Sequence, residues 1–497
     1  MTLRRLLALA RVGAVSALLL SGCRALPGVS GASVFQADAL VAADTWSFTD
    51  LTLRPSMQQA LYTQDVLDAF ASVTESGAGD LHHLPTPSGR TVDFEQDVLP
   101  HLDGEVAIGL SGPVSPQAHY TFLVHTNDAR ALLGLLVDHE DPALSADARG
   151  VIRYAPLDGK WVAAGYKDWI IYTDSPGSLD QTLDRIDARG GPSLATEPRY
   201  RSMIGRLPAD RLGFGYLDLG PVLVDRRSSR ETRVADALGA RGRMAYSLAF
   251  EAGPEEGVRA LSVRSEFAPE GPSAPVTPPK RDALLAMDRL PRGSVAAFAS
   301  SSSSQQVDTF AGAMSEGEGT PPELESFLQT LAGPFAVGIT PPLTGTGDGA
   351  RGSVIGGLFF VGQLVPDADA AGVQDLAAGL AESITRSLGA ADTWQDEALV
   401  DDGWVSINAV PASVGLDHVE QRMLADDRQY QWVRPGFVRD GTNFYLNVGV
   451  LLSSLHEGNP LRQASAVLGP IRAIGGSWVT EAQGDGHGQI LVMIAVR

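Results

Sequence analysis

The sequence predicts an α+β protein made of two homologous lobes, each a mainly antiparallel sheet with helices packed on one face. Three observations lead there. Three sequence blocks recur in the same order, 229 to 230 residues apart. Short segments rich in β-branched and aromatic residues are separated by hairpin-type turns. A few longer segments carry apolar residues at helical spacing.

The repeat orders everything else. Leu99-Pro-His-Leu102-Asp-Gly104-Glu-Val-Ala107-Ile-Gly109-Leu110 matches Leu328-Gln-Thr-Leu331-Ala-Gly333-Pro-Phe-Ala336-Val-Gly338-Ile339 at an offset of 229. Tyr216-Leu217-Asp218-Leu-Gly220 matches Tyr445-Leu446-Asn447-Val-Gly449 at the same offset. Leu238-Gly239, Ser247 and Glu251-Ala252 match Leu468-Gly469, Ser477 and Glu481-Ala482 at 230. The beginnings correspond too: Asp44-Thr45-Trp46-Ser47-Phe48 leads to Gln58-Gln59, and Gly293 to Phe298 leads to Gln305-Gln306. Between the copies, Pro269, Pro272, Pro275, Pro278 and Pro279 mark a semi-rigid spacer. The expected organisation is a signal peptide at 1–22, a tether at 23–35, lobe one at 36–267, a Pro-rich linker at 268–283 and lobe two at 284–497.

Within lobe one, Glu105–Leu110, Tyr120–His125, Trp161–Tyr166, Trp169–Tyr172, Leu212–Leu217 and Met244–Phe250 have the length and composition of strands. Lys167-Asp168 is placed to turn a hairpin. In lobe two, Trp404–Val410 and Tyr430–Phe437 are expected strands. Leu132, Leu135 and Leu136, and Val373, Leu376, Leu380, Ile384 and Leu388, mark amphipathic helices.

The N-terminus reads as a targeting segment. Arg4 and Arg5 precede an apolar run, Val12 to Leu20, too short to span a bilayer. Leu20-Ser21-Gly22-Cys23 follows and resembles the bacterial lipobox. That resemblance implies cleavage between Gly22 and Cys23 and lipidation of the Cys23 thiol. Cys23 is the only cysteine, so no internal disulfide competes for it. Firm anchoring takes more than one acyl chain. The residue after the cysteine is Arg24 rather than Asp, which by analogy with sorting in two-membrane bacteria is not an inner-membrane retention signal. The expected place is the cell envelope, lipid-anchored on the extracytoplasmic side, at the outer membrane where the host has one.

The net charge is −21, and the first 22 residues hold three Arg and no acid, so the processed chain is more acidic still. Such a surface repels phosphate backbones, which argues against a nucleic-acid partner. It also leaves membrane attachment to the lipid rather than to charge.

No residue set announces catalysis. Ser111, in Gly109-Leu-Ser111-Gly112, lacks the spacing of a nucleophile elbow and reads as a turn residue. Ser300–Ser304 reads as a polar helix entry. His82-His83 sits in a loop, and Asp138-His139-Glu140-Asp141 reads as a solvated helix end. Zinc spacing is absent, and Asp401-Asp402-Gly403 and Asp485-Gly486 are acidic turns without a calcium-loop pattern. Gly345 to Gly352 precedes a strand instead of following one, which is wrong for a dinucleotide fingerprint. Trp46, Trp161, Trp169, Trp404, Trp432 and Trp478 are expected to pack, mostly from strands.

The order of these pieces resembles a bacterial exported family known as domain of unknown function 3352. The resembling residues are Ala42-Ala43-Asp44-Thr45, Leu102-Asp103-Gly104-Glu105-Val106-Ala107, Asn127-Asp128-Ala129, and Ser193-Leu194-Ala195 with Tyr200. The family often has Pro where this chain has Ala42 or Ala43. The resemblance covers nearly the whole processed chain, implies an exported α+β protein, and brings no activity or cofactor with it. The expected function is a non-catalytic binding or structural lipoprotein of the envelope, using no cofactor or metal. Its expected partner, besides the membrane, is an envelope protein or a small apolar or glycan ligand. The alternative is an envelope hydrolase whose site residues come together only in the fold.

Overall fold

The computed structural model describes residues 36–77, 83–85, 91–113, 118–136, 144–156, 161–220, 242–269, 282–301, 326–327, 330–341, 356–387, 394–412, 423–454, 468–480 and 485–496. These fall into two compact units, one reaching to residue 220 and including 242–251, the other running from 252 to 495.

The first unit contains β1 (Ser47–Thr52), β2 (His83–Pro85), β3 (Thr91–Asp93), β4 (Leu102–Ser111), β5 (His119–Thr126), β6 (Leu144–Ala146), β7 (Ile152–Tyr154), β8 (Val162–Tyr166), β9 (Trp169–Thr173), β10 (Gly213–Asp218) and β11 (Gly242–Ala252). β1 lies between β4 and β10, and β11 pairs with β10. Beyond β4 the order is β5, β9, β8, β7, β6, antiparallel throughout. Lys167, with φ 51°, turns the β8–β9 hairpin expected at that dipeptide. Its helices are α1 (Met57–Gly77), α2 (Ala129–Leu136), α3 (Pro176–Ile186) and α4 (Pro198–Ile204). Each short helix starts where a side chain satisfies a free N–H. Asp128 accepts from Ala131 N–H at 2.9 Å, Ser175 from Ser178 at 3.2 Å, and Glu197 from Tyr200 at 2.7 Å.

The second unit contains β12 (Val258–Pro269), β13 (Ala296–Ser300), β14 (Leu331–Thr340), β15 (Gly357–Leu364), β16 (Trp394–Asp401), β17 (Trp404–Pro411), β18 (Thr442–Asn447), β19 (Ile471–Thr480) and β20 (Gly486–Ala495). Their order is β16, β17, β15, β14, β13, β18, β19, β20, β12, again antiparallel. The helices are α5 (Ala283–Asp288), α6 (Ala370–Ser387), α7 (Arg428–Val433) and α8 (Val448–Ser454).

Both units are therefore antiparallel sheets with packed helices, an α+β architecture. Helices on one face only, the expected arrangement, is corrected. In the first unit Ala163 and Ile170 pack with Ala129, Leu132 and Leu133 of α2. Ala164 and Ile171 point the opposite way, since successive strand residues alternate, and they are fully buried too. There α3 packs on β8 and β9, with Leu179 and Leu183 buried apart from the α2 core. In the second unit Phe359 and Val361 join a core with α5 and α7, while Phe360 between them packs with α6. A strand apolar on both parities must be covered on both sides.

Tyr430–Phe437, expected as a strand, is α7 followed by a 3₁₀ turn at Arg434–Gly436. Asp427 caps it by accepting from Tyr430 N–H at 2.8 Å. Tyr430 and Val433, three apart, are its buried residues, a helical rather than an alternating pattern. The strand β12, grouped by sequence with lobe one, lies by its contacts in the second unit, paired with β20.

The same local architecture occurs in each unit. β14, β18 and β19 begin 229 residues after β4, β10 and β11. Trp46 N–H donates to Leu110 carbonyl at 2.9 Å, and Val295 N–H to Ile339 carbonyl at 2.8 Å. Tyr200 stands edge-on to Tyr216 at 5.2 Å and 84°, and Tyr430 to Tyr445 at 5.4 Å and 85°.

Candidate functional site

The site begins with the alternation on β13. Ala297 and Ala299 point into the core shared with α5 and α7. Phe298 therefore points to the other face. It stands opposite Val337 of β14 and Phe444 of β18. The row continues to Phe360 of β15 on one side, and to Gly476 of β19, Ile490 of β20 and Val263 of β12 on the other. The neighbouring row is Leu358, Ile339, Ala296, Leu446, Ile474, Val492 and Leu261. Neither row holds a charged side chain.

α6 covers one end of this face. Phe327, 1% exposed, meets Phe360 at 5.4 Å between ring centroids, Phe360 meets Phe335 at 6.1 Å, and Phe335 meets Phe298 at 6.3 Å. Along that line the rings pass from core to surface. Phe298 is 42% exposed, Phe444 37% and Ile490 39%. Single exposed apolar residues are ordinary, whereas several in one cross-strand row form a patch that needs an explanation.

The row at the same spacing in the first unit differs. There the corresponding row is Phe122, Ile108, Thr49, Gly215 and Tyr246. Thr49 stands where the second unit has Phe298, and its hydroxyl lies 3.1 Å from the Tyr246 hydroxyl. The polar pair closes in one unit what stays open in the other.

The first unit has its own unusual feature, a buried carboxyl group pair. Asp50 on β1 is fully buried and Glu105 on β4 nearly so. The Gln36 N–H donates to both Glu105 oxygens, at 2.8 and 3.1 Å. Neither Asp50 oxygen meets a donor in good geometry. Burial pushes the Asp50 carboxyl well above the usual range, and the Glu105 charge beside it pushes the same way. Burial also raises Glu105 and Asp38. Tyr200 donates to Asp38 at 3.0 Å, and Arg211, over the Phe214 ring at 4.7 Å, supplies opposing charge. The matching positions of the second unit are Ala299 and Pro334. The pair is enclosed by packed side chains and is closed to a substrate.

The expected lipidation and cleavage residues, Cys23 and Gly22, lie outside the described residues, as do Asp138–Asp141, Ser302–Ser304 and 345–352. Ser300 ends β13 with its hydroxyl 3.3 Å from that of Thr442. Asp402 and Gly403, both at positive φ, turn the β16–β17 hairpin. Trp432 is on α7 rather than a strand, donating to Glu255 at 2.8 Å. Among the described residues no cluster of His, Cys, Asp and Glu could hold a metal, and no helix is long and apolar enough to cross a membrane. Ser111 ends β4 directly opposite His119, a pairing invisible in the linear order. The exposed row itself was missed in sequence, although Phe298 among alanines carries its signal.

No family model matches the chain, and no curated protein matches it. Among solved structures, crystal form I of TP0453 is similar at 8% identity and a TM-score of 0.26, covering 48% of this chain and 82% of that one. A likeness at that score carries no argument.

Proposed function

We propose that this chain is an exported lipoprotein, anchored through Cys23 on the outer side of a membrane, that binds an apolar ligand on the open sheet face of its second unit without catalysing a reaction there. The observation that carries the binding reading is the row Phe298, Phe444 and Ile490, aligned and each more than a third exposed. Beyond the end that α6 covers, the six strands from β14 to β12 at about 4.8 Å spacing give an uncharged track roughly 24 Å across, suited to an extended acyl chain. Covering one such side chain fully is worth about 1.5–3 kcal/mol.

In the same reading the two units are copies of one lobe. Equal spacings and the matching tyrosine pairs support it. Membership of family 3352 belongs to the proposal as well and rests on the residues of the resemblance. The hydrolase alternative is favoured by one separate observation in the first unit, taken up below.

The test is titration with a fluorescent long-chain fatty acid. The wild-type chain should bind it, and Phe298→Ser combined with Phe444→Ser should weaken binding at least tenfold, about 1.4 kcal/mol. The melting temperature should stay level or rise. Equal affinity in the folded double variant would remove the reading.

A further inference from the structure

We propose that Ser111, His119 and Asp174 form a serine-nucleophile site in the first unit that hydrolyses carboxylic esters. The proposal goes beyond ligand binding and rests on different residues.

Ser111 is the last residue of β4 and His119 the first of β5, and the two are directly opposed. Opposed residues on one face have Cβ atoms about 4.5–5.5 Å apart. β9 pairs with the other side of β5, and Asp174 follows its last residue, Thr173. Three neighbouring strand ends thus gather three residues that lie 63 apart at the extremes, from 111 to 174.

The imidazole is oriented. His119 Nδ1 lies 2.8 Å from Asp174 Oδ2. A carboxylate only accepts, so Nδ1 is assigned the hydrogen, and in the neutral imidazole the lone pair is on Nε2. The ring edge bearing Cδ2 and Nε2 faces the end of β4. A Cβ placed on Gly112 would sit 3.2 Å from Cδ2 and 4.0 Å from Nε2. Gly112 has φ +72°, so glycine meets both demands, the left-handed turn and the room for the ring. The His119–Asp174 contact supplies an oriented base, and the strand register sets Ser111 beside it as the nucleophile of the proposed site.

Two further facts separate this from an incidental surface ion pair. Asp174 Oδ1 is buried with no hydrogen-bond partner, an unfavourable arrangement in a group serving packing alone. In the second unit the corresponding strand pair sets Thr340 opposite Gly357, so the hairpin does not need the histidine. The site is open to a substrate: the His119 side chain is 50% exposed.

The chemistry balances without a cofactor. Ser111 Oγ attacks the ester carbonyl carbon while its proton passes to His119 Nε2. The carbon–alkoxy bond breaks, and the alkoxide leaves with that proton as an alcohol. Water then attacks the acyl-serine and gives a proton to Nε2. The bond to Oγ breaks, Oγ takes the proton back, and a carboxylic acid departs. Asp174 is the positioning residue, holding the tautomer and the imidazolium that forms.

The test uses the full chain, purified from membranes in detergent and treated with a fluorophosphonate probe. Peptide mapping should find the adduct on Ser111, and p-nitrophenyl acetate should be hydrolysed. Ser111→Ala should abolish both. His119→Gln should slow labelling at least a hundredfold and Asp174→Asn at least tenfold, with unfolding midpoints by circular dichroism unchanged. A heat-unfolded sample should not label. Absence of the adduct from Ser111 in the folded chain, or an equal labelling rate in folded His119→Gln, overturns the proposal. Neither result touches the fatty-acid titration, which reads the other unit.

Discussion

Asp50 sits on β1 of the first unit, between β4 and β10, fully buried and with the Glu105 charge beside it. The folded chain holds its proton more tightly than an unfolded chain would. The stability this group lends is complete below the unfolded carboxyl value of about 3.9 and is lost as pH rises through the raised folded value. Asp50→Asn removes that dependence while keeping the shape. The variant should melt higher than wild type at pH 7, and the gap should narrow as pH falls toward 4. A constant gap across that range would show that the carboxyl is not holding a proton. In Ser47-Phe-Thr-Asp-Leu-Thr each parity holds one apolar residue, Phe48 or Leu51, so the segment alone does not tell that the parity of Phe48, Asp50 and Thr52 faces inward. Nor does it contain the partner of Asp50, because Glu105 arrives from a strand more than fifty residues away.

Elements were legible where one period dominated. The β8–β9 hairpin, β4, β10, α2 and α6 fall where alternation, turn residues and helical spacing put them. α7 was misread because Tyr430, Trp432 and Val433 are good strand formers, while the capping Asp427 and its hydrogen bond to Tyr430 outweigh propensity. The continuous run Leu358-Phe-Phe-Val361 was the sign of a strand covered on both faces. β12 shows the reverse limit, since its alternation says which face is buried but not in which core. It places Val258 and Ala260 in the core of the second unit and pairs over ten residues with β20. Ser262→Pro, in mid-strand, removes a backbone donor and clashes with the ladder, and it should destabilise the second unit and speed amide exchange at Leu491 and Met493. Unchanged exchange there would mean that β12 does not belong to that core.

At the scale of the whole molecule the proposed tether is one sulfur. Cys23→Ser should release the protein from the membrane fraction, and mass spectrometry of the native N-terminus should show an acylated residue 23. A variant that sediments as before would end the lipoprotein reading. The repeat was readable because equal spacings survive when individual residues have changed; the divergence between the units was not, because it concerns which side of a strand faces outward. One such divergence has a consequence for folding. In the first unit a tyrosine, Tyr246, lies over Gly215 of the adjacent strand; in the second a phenylalanine, Phe444, lies over Gly476. Ring and glycine have traded strands. A chain that folded with β18 against β11 would force two bulky rings into one gap, and β10 against β19 would leave a hole. Two units with similar strand spacing joined in one polypeptide risk exchanging strands as they form, and this reversed pairing makes the wrong partner a poor fit from the first contact.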